Sequence, residues 1–475
     1  MITRINVLSR RAFMRMSALW HFLIRAVVSI ATLVGIGCLS TAPVSTYGAE
    51  SESVSISINW TQEYQIMDGF GASGAFQRAT QLMEMSEPAR TEILDALFSR
   101  QTGAGLSMVR NIVGDGSPLP DGVPTTQPSK GDWQGSGDEG QLWLMHEASR
   151  RGATRFMSTV WSAPAWMKDN QSVIGGSLSP DHYQDFADYL VAYIRGYEEV
   201  FNLDIYAISI ANEPVNNAKY SSSLWSGEQI RDFIKMHLAP TFERQGLSTK
   251  IIIGEDETWS EELALATLAD EEAAKSVDIV AAHGYLGDIH AFTRAKECGK
   301  TVWQTEVAAF VDNDPGIDDG IEWATKVHTY VVDCDASAFL YWWFVSKRNN
   351  RGALVVIDES NSTDYTLNKR LFTIGNFARF IRPGYIRIDC TANPAPDVYV
   401  SAYKDEDSGT LVIVAVNASK EPITLNIEPT EFQATAFTPY VTNATRDLRE
   451  GDPMQPDKVS LAARSVTTLV GTADL

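Results

Sequence analysis

Two apolar runs in the sequence each end in a carboxylate. One reads Ile208-Ser209-Ile210-Ala211-Asn212-Glu213-Pro214, the other Val302-Trp303-Gln304-Thr305-Glu306. A lone glutamate after a strand is usually a loop acid. Asn-Glu-Pro at one strand tip, with a second glutamate at another tip 93 positions later, is more specific. Two carboxyl groups brought over one acetal carbon suit the cleavage of a glycosidic bond: one donates a proton to the leaving oxygen and the other stays ionised. They stand about 5–5.5 Å apart when the ionised group attacks the carbon, and about 6.5–9.5 Å apart when it activates a water. In this reading Glu213 is the general acid/base, its carboxyl raised by burial and by the second carboxylate, and Glu306 is the nucleophile. Asn212 hydrogen-bonds the sugar 2-hydroxyl, a contact that strengthens as charge develops on the ring.

Such a pair needs a scaffold that brings distant strand tips together. Short apolar runs alternate with amphipathic stretches between about residues 66 and 381. Eight strands are predicted, near Ile66–Phe70, Ser107–Ile112, Arg155–Trp161, Tyr206–Ala211, Lys250–Gly254, Val277–Ala282, Thr301–Gln304 and Ala338–Phe344. Their continuous Ile, Val, Ala and Phe content fits parallel strands buried on both faces. Ser86-Glu87-Pro88 and Ser179-Pro180-Asp181 read as helix starts between them, with a cap and a first-turn proline. The expected fold class is α/β, a (β/α)8 TIM barrel with a side β-sandwich built from both termini. Barrel sites lie at the C-terminal ends of strands, where Glu213 and Glu306 fall on strands four and seven. An open doubly wound sheet is the alternative, but no Gly-rich phosphate loop follows the first strand. Residues 51–64 alternate like a half-buried antiparallel strand, and the chain beyond Tyr385 is strand-like. The expected domains are an export signal (1–49), an N-terminal strand joining the side domain (50–65), the barrel (66–383) and the side β-sandwich (384–475).

Asn212-Glu213-Pro214 with Glu306 resembles the clan A retaining glycosidases, and the finer pattern resembles glycoside hydrolase family 30. The matching pieces are Asp68-Gly69-Phe70-Gly71, Trp161-Ser162-Ala163-Pro164-Ala165-Trp166-Met167-Lys168, His283-Gly284-Tyr285, Trp303-Gln304-Thr305-Glu306 and Tyr341-Trp342-Trp343. The resemblance covers the chain beyond the export segment and implies the same barrel with its side β-domain. Gly74-Ala75-Phe76-Gln77-Arg78-Ala79 resembles the mainly fungal xylan-cleaving branch, where a basic residue after strand one holds the carboxylate of a glucuronic acid side group. Carried over, that residue is Arg78, and a guanidinium pairs a carboxylate in a bidentate fork. The bland alternative is that Arg78 caps a helix or bridges a structural acid. The bacterial glucuronoxylanase branch uses an arginine after strand eight, where this chain has Lys347 and Arg348.

Around the pair, Trp161 and Trp343 are expected as walls of the central subsite, with Trp342 in place of Trp343 if the other face points inward. His283 and Tyr285 end strand six; His283 is expected to hydrogen-bond, or to sit in the core, and has no partner spacing that suggests a metal. Arg110 ends strand two and steadies Glu306 by charge. Asp115, Asp256 and Glu257 are expected to fill loop roles. The long loop from Gly114 to Gly140 could block one end of the groove. No metal and no cofactor are implied.

A net charge of −21, which becomes about −26 without the five arginines of residues 1–49, repels nucleic acid and anionic lipid. Those arginines precede an apolar run from Ala26 to Gly37, the pattern of a removable export signal rather than a span. Cys38 leaves with that segment; of Cys298, Cys334 and Cys390, the first two could form a bridge. The combined expectation is a secreted, extracellular, monomeric xylanase that binds xylan polysaccharide, prefers glucuronic-acid-substituted chains and stays free of the membrane after signal removal. A β-1,6-glucanase or related glycosidase of the same family is the first alternative. A non-catalytic carbohydrate-binding protein is the second, although such proteins usually lose one carboxylate and this chain keeps both.

Overall fold

Strands that are apolar on both faces need two buried surroundings, and a barrel supplies them. The computed structural model describes residues 52–132 and 138–474; the expected export segment lies outside the described residues. The eight barrel strands are Gly69–Ser73, Met108–Val113, Arg155–Val160, Ala207–Ser209, Lys250–Thr258, Ile279–Leu286, Thr301–Glu306 and Ala336–Ser346. They are parallel, and the eighth pairs with both the seventh and the first, which closes the barrel. Ile252 on the fifth strand joins the barrel interior with Met108, Met157, Ile279, Trp303 and Leu340. Its neighbours Ile251 and Ile253 face the helical layer.

The first barrel strand begins at Gly69, later than expected, because Ile66 ends the long strand before it. Asp68 at the junction accepts hydrogen bonds from Tyr206 Oη (2.8 Å) and Trp303 Nε1 (2.9 Å), pinning the barrel floor. Helix Tyr183–Arg195 buries Phe186, Leu190 and Ile194 on one stripe. The expected Ser179 cap does not form; Pro180–His182 makes a 3-10 turn there, with no side-chain cap. Helix Ala89–Phe98 likewise starts without Ser86: Glu87 Oε2 accepts from the Thr91 backbone N–H at 3.2 Å. Beyond the expected eight, strands Ala353–Ile357 and Tyr365–Leu367 extend the sheet from strand eight.

The remaining strands form one curled nine-stranded sheet. Its N-terminal strand, Glu52–Ile66, runs antiparallel to Ile386–Cys390, as the alternation suggested, but parallel to Ile423–Thr430 on its other edge. Ile56, Ile58, Val400, Ile413, Leu425 and Leu469 fill the inside of the curl. The outer residues Val412, Val414, Val416 and Val466 share the core that lies under the barrel helices. Helices Ile317–Asp333 and Lys369–Ala378 carry that contact and are tied by a buried ion pair, Arg370 to Asp319 at 2.5 Å. The bridge that Cys298 and Cys334 could have formed is not made: Cys298, Cys334 and Cys390 are all free thiols. Cys298 and Cys334 each end a helix, and the Cys298 thiol turns to the Leu268 carbonyl at 3.7 Å.

Replacing Asp68 with alanine strips the fully buried Trp303 indole N–H of its acceptor. The expected loss of stability is about 1–3 kcal/mol, read as a lower urea midpoint at an unchanged m value. An unmoved midpoint would show that the Asp68 carboxylate does not hold the floor.

Candidate active site

Three barrel strands are bulged near their C-terminal ends. On the fifth, Gly254 faces Ala281 and Asp256 faces Ala282, which leaves Glu255 without a partner. On the seventh the odd residue is Thr305, and on the eighth it is Trp342. A bulge re-aims the side chains that follow it. On the eighth strand the result is two consecutive tryptophans on one side, Trp342 and Trp343, with rings 4.7 Å apart and 24° from parallel. At the neighbouring tips Glu213 and Glu255 both adopt positive φ, 44° and 51°. Side chains with a Cβ seldom sit there, and such strain persists only where surrounding contacts hold it. Here the Glu213 backbone N–H donates to the Glu255 carbonyl at 2.8 Å.

These tips converge. One carboxylate oxygen of Glu213, one of Glu306 and a ring nitrogen of His283 all lie within 4.8 Å of one another. The Arg110 guanidinium is fully buried beneath them. Its Nη1 donates to Glu306 Oε2, its Nη2 to Asn212 Oδ1 (2.7 Å) and Glu255 Oε1 (3.1 Å), and its Nε to Thr159 Oγ1 (3.1 Å). Tyr285 Oη donates to the other Glu306 oxygen at 2.8 Å. Glu213 Oε2 accepts from Tyr220 Oη and Asn216 Nδ2, each at 3.0 Å, and its Oε1 lies 3.1 Å from His283 Nδ1. A metal ion held by Glu213, His283 and Glu306 would meet the guanidinium already seated on Glu306. The donor set therefore suits protons better than a cation.

Charge is distributed differently from the expectation for Glu213. Burial pushes Glu213 up, but His283, Asn216 and Tyr220 together bring its carboxyl below the ordinary glutamate range. Burial pushes the Glu306 carboxyl above that range, against the pull of His283 and Arg110. Burial opposes charge on the His283 imidazole, but Glu306, Glu213 and Glu255 outweigh it and lift the group to about 10. The surrounding carboxylates thus favour the charged form of His283, and the three donors that converge on the Glu213 oxygens favour the charged form of Glu213.

A cavity of about 470 Å³ opens over the pair, and Trp161, Asn212, Glu213, Tyr285, Glu306, Trp342 and Trp343 line it. Trp161 packs its ring 4.5 Å from the Arg110 guanidinium carbon. Arg110 and His283 are fully buried behind the lining and touch the cavity through residues that line it. Arg78 corrects the expectation of direct contact: it is 5% exposed, outside the lining, with its guanidinium carbon 4.1 Å from the centre of the Trp343 ring. It turns inward because its Nη1 donates to the Phe76 carbonyl at 2.9 Å. Arg348 is the guanidinium that lines the cavity.

Sequence reasoning passed over Glu255, Asn216, Tyr220, Phe76 and Phe310. The last four are loop residues with no periodicity to betray them. Glu255 had a signal, as the first of three acids directly after an apolar strand. Of the loop acids that were considered, Asp115 is buried, accepts from the Ser117 N–H at 2.9 Å and is raised by burial to about 6. Asp256 accepts from the Thr258 N–H at 3.1 Å, whereas Glu257 lines the cavity. In the described part of the Gly114–Gly140 loop, Asp121 reaches the lining.

The profile of Glycosyl hydrolase family 59 matches residues 67–355, and that of the Glycosyl hydrolase family 30 beta sandwich domain matches residues 384–469. Glucuronoxylanase XynC of Bacillus subtilis is 27% identical over 339 residues, 68% of this chain and 75% of that protein. Galactocerebrosidase of Homo sapiens is 29% identical over 330 residues, 67% of this chain but only 44% of its own length. The catalytic domain of GH30 xylanase C from Talaromyces cellulolyticus superposes with a TM-score of 0.75 at 30% identity, over 88% of this chain and 100% of that domain. With a family 59 profile on its barrel, a family 30 profile on its sheet domain and a family 30 xylanase superposing over most of its length, the chain belongs to the glycoside hydrolases of families 30 and 59.

Proposed function

We propose that this protein is an exported retaining xylanase that cleaves β-1,4-xylan and prefers chains bearing glucuronic acid. The observation that carries the retaining reading is the approach of Glu213 and Glu306 oxygens to within 4.8 Å. An approach that close favours the separation of about 5–5.5 Å used by retaining enzymes over the roughly 6.5–9.5 Å of inverting ones. Glu306, oriented by Arg110 and Tyr285, attacks the anomeric carbon while Glu213 protonates the departing oxygen. Water then enters with Glu213 as base, and Glu306 is released as carboxylate. Asn212, held by Arg110, presents its amide to the sugar 2-hydroxyl.

The substrate reading draws on the xylanase relatives and on the walls. Trp161, Trp342 and Trp343 offer ring faces to the bound sugar, and Phe310, stacked on Tyr285 at 5.8 Å and 55% exposed, offers another outside it. Arg348 is the cation available to a uronic acid carboxylate, with Arg78 supporting it from behind Trp343. A β-1,6-glucanase remains the alternative within the family; the endo-beta1,6-glucanase BT3312, at 23% identity, shares the fold alone. A silent binding protein is disfavoured by the retention of both glutamates with their donors in place.

Glu306→Gln is expected to lower kcat by roughly 10³-fold or more while xylan binding persists, measured by reducing-sugar release and calorimetry. Near-normal turnover would remove Glu306 from the reaction. A digest of glucuronoxylan is expected to yield products that each carry one side group, and Arg348→Ala to scatter their lengths. Cleavage of linear β-1,6-glucan alone would overturn the substrate assignment, and unchanged products from Arg348→Ala would take that residue out of side-group capture.

A further inference from the structure

Glu255 is a carboxylate of the site that no substrate can touch. It is fully buried and lies outside the cavity lining. Its Oε1 is 3.1 Å from Arg110 Nη2 and 3.7 Å from His283 Nε2, while its Oε2 has no hydrogen-bond partner. Its carbonyl holds the Glu213 N–H. Glu255 therefore reaches Glu306 through Arg110 and reaches Glu213 twice, through His283 and through the backbone. A buried carboxylate at positive φ is costly and persists only where its partners compensate it. Here those partners are the two cations of the site.

We propose that Glu255 is a positioning residue that clamps Arg110 against Glu306 and the imidazole of His283 against Glu213, making His283 the store of the proton that Glu213 delivers. The inference rests on the assignment of Glu213 and Glu306 above. During glycosylation the bond from Glu306 to the anomeric carbon forms as the bond to the leaving oxygen breaks. Glu213 takes a proton from His283 Nδ1 and passes it to that oxygen, which leaves Glu213 as carboxylate and His283 neutral. The new ester carries no charge, so one of the anions that held the imidazolium is gone at the moment its proton is needed. In the second step water attacks the same carbon, its proton passes to Glu213 and on to His283, and Glu306 departs as carboxylate.

His283 faces Glu213 from the fourth strand, Glu255, Asp256 and Glu257 from the fifth, Glu306 from the seventh and Tyr285 on its own strand, with Arg110 across the carboxylates. Removing the Glu255 charge destabilises the imidazolium, so the His283 midpoint must fall and the alkaline limb of activity must move to lower pH. The test is nitrogen NMR of histidine-labelled enzyme together with kcat and KM across pH. Wild type should keep His283 doubly protonated at about pH 8, and Glu255→Gln should lower its midpoint by about one pH unit or more. Its kcat should drop roughly tenfold or more with KM within about threefold, and Glu255→Asp should recover part of the loss. Neutral His283 at pH 7 in wild type, or a midpoint and alkaline limb unmoved by Glu255→Gln, would overturn the proposal. The wild-type titration decides even if Glu255→Gln fails to fold. Activity surviving in Glu306→Gln would refute the catalytic pair instead, without touching the His283 readout.

Discussion

One buried guanidinium organises the centre of this molecule. Arg110 is out of contact with water, so each of its donors must find a protein acceptor. Those acceptors are Glu306, Asn212, Glu255 and Thr159, drawn from four other barrel strands or their tips. An arginine is suited to this because its planar fork bonds several acceptors at once without giving up its charge. Without it, Glu306 and Glu255 would be like charges in a dry interior, a state that costs about 3–5 kcal/mol when a buried pair is broken. The barrel must close with its tips in one register for those acceptors to meet one side chain.

Closure sets that register, and the bulges adjust it. A regular strand alternates its side chains between barrel interior and helical layer. Bulges at Glu255, Thr305 and Trp342 break the alternation at the rim, where function needs neighbouring residues on one side. The floor carries one further break, at Ser337 where the eighth strand begins, and there Asp68, Tyr206 and Trp303 form a hydrogen-bonded plug. Most of the breaks thus lie at the rim, and the curled sheet supports the barrel from outside by packing on the helices Ile317–Asp333 and Lys369–Ala378.

Much of this was legible in the residues. The apolar runs with no polar alternation announced parallel strands, and Asn212-Glu213 and Glu306 stood where such strands end. What was not legible depended on three-dimensional coincidence. The parity of a strand says which way Trp343 points but not that a bulge brings Trp342 beside it. Arg78 was read as a contact to substrate, but its guanidinium turns behind Trp343 toward the Phe76 carbonyl. Glu255 was overlooked because its neighbours Asp256 and Glu257 look equally loop-like in one dimension. The Glu213 carboxyl was read as raised by burial and by the second carboxylate, but His283 from another strand, with Asn216 and Tyr220 from its own loop, brings it down. Helix capping was misread for a simpler reason: Ser86 and Ser179 have the right chemistry, but a neighbouring acid and a 3-10 turn begin the helices instead.

The central claim is that Glu306 bonds covalently to the sugar while Glu213 handles the proton. The most direct measurement is mass spectrometry of the enzyme after reaction with an activated 2-deoxy-2-fluoro-β-xylobioside, whose fluorine slows release of the intermediate. The account predicts one added fluoroxylobiosyl group, located after proteolysis on the peptide that carries Glu306. A label on Glu257 or on another carboxylate would contradict it, as would unlabelled protein that releases product of inverted anomeric configuration.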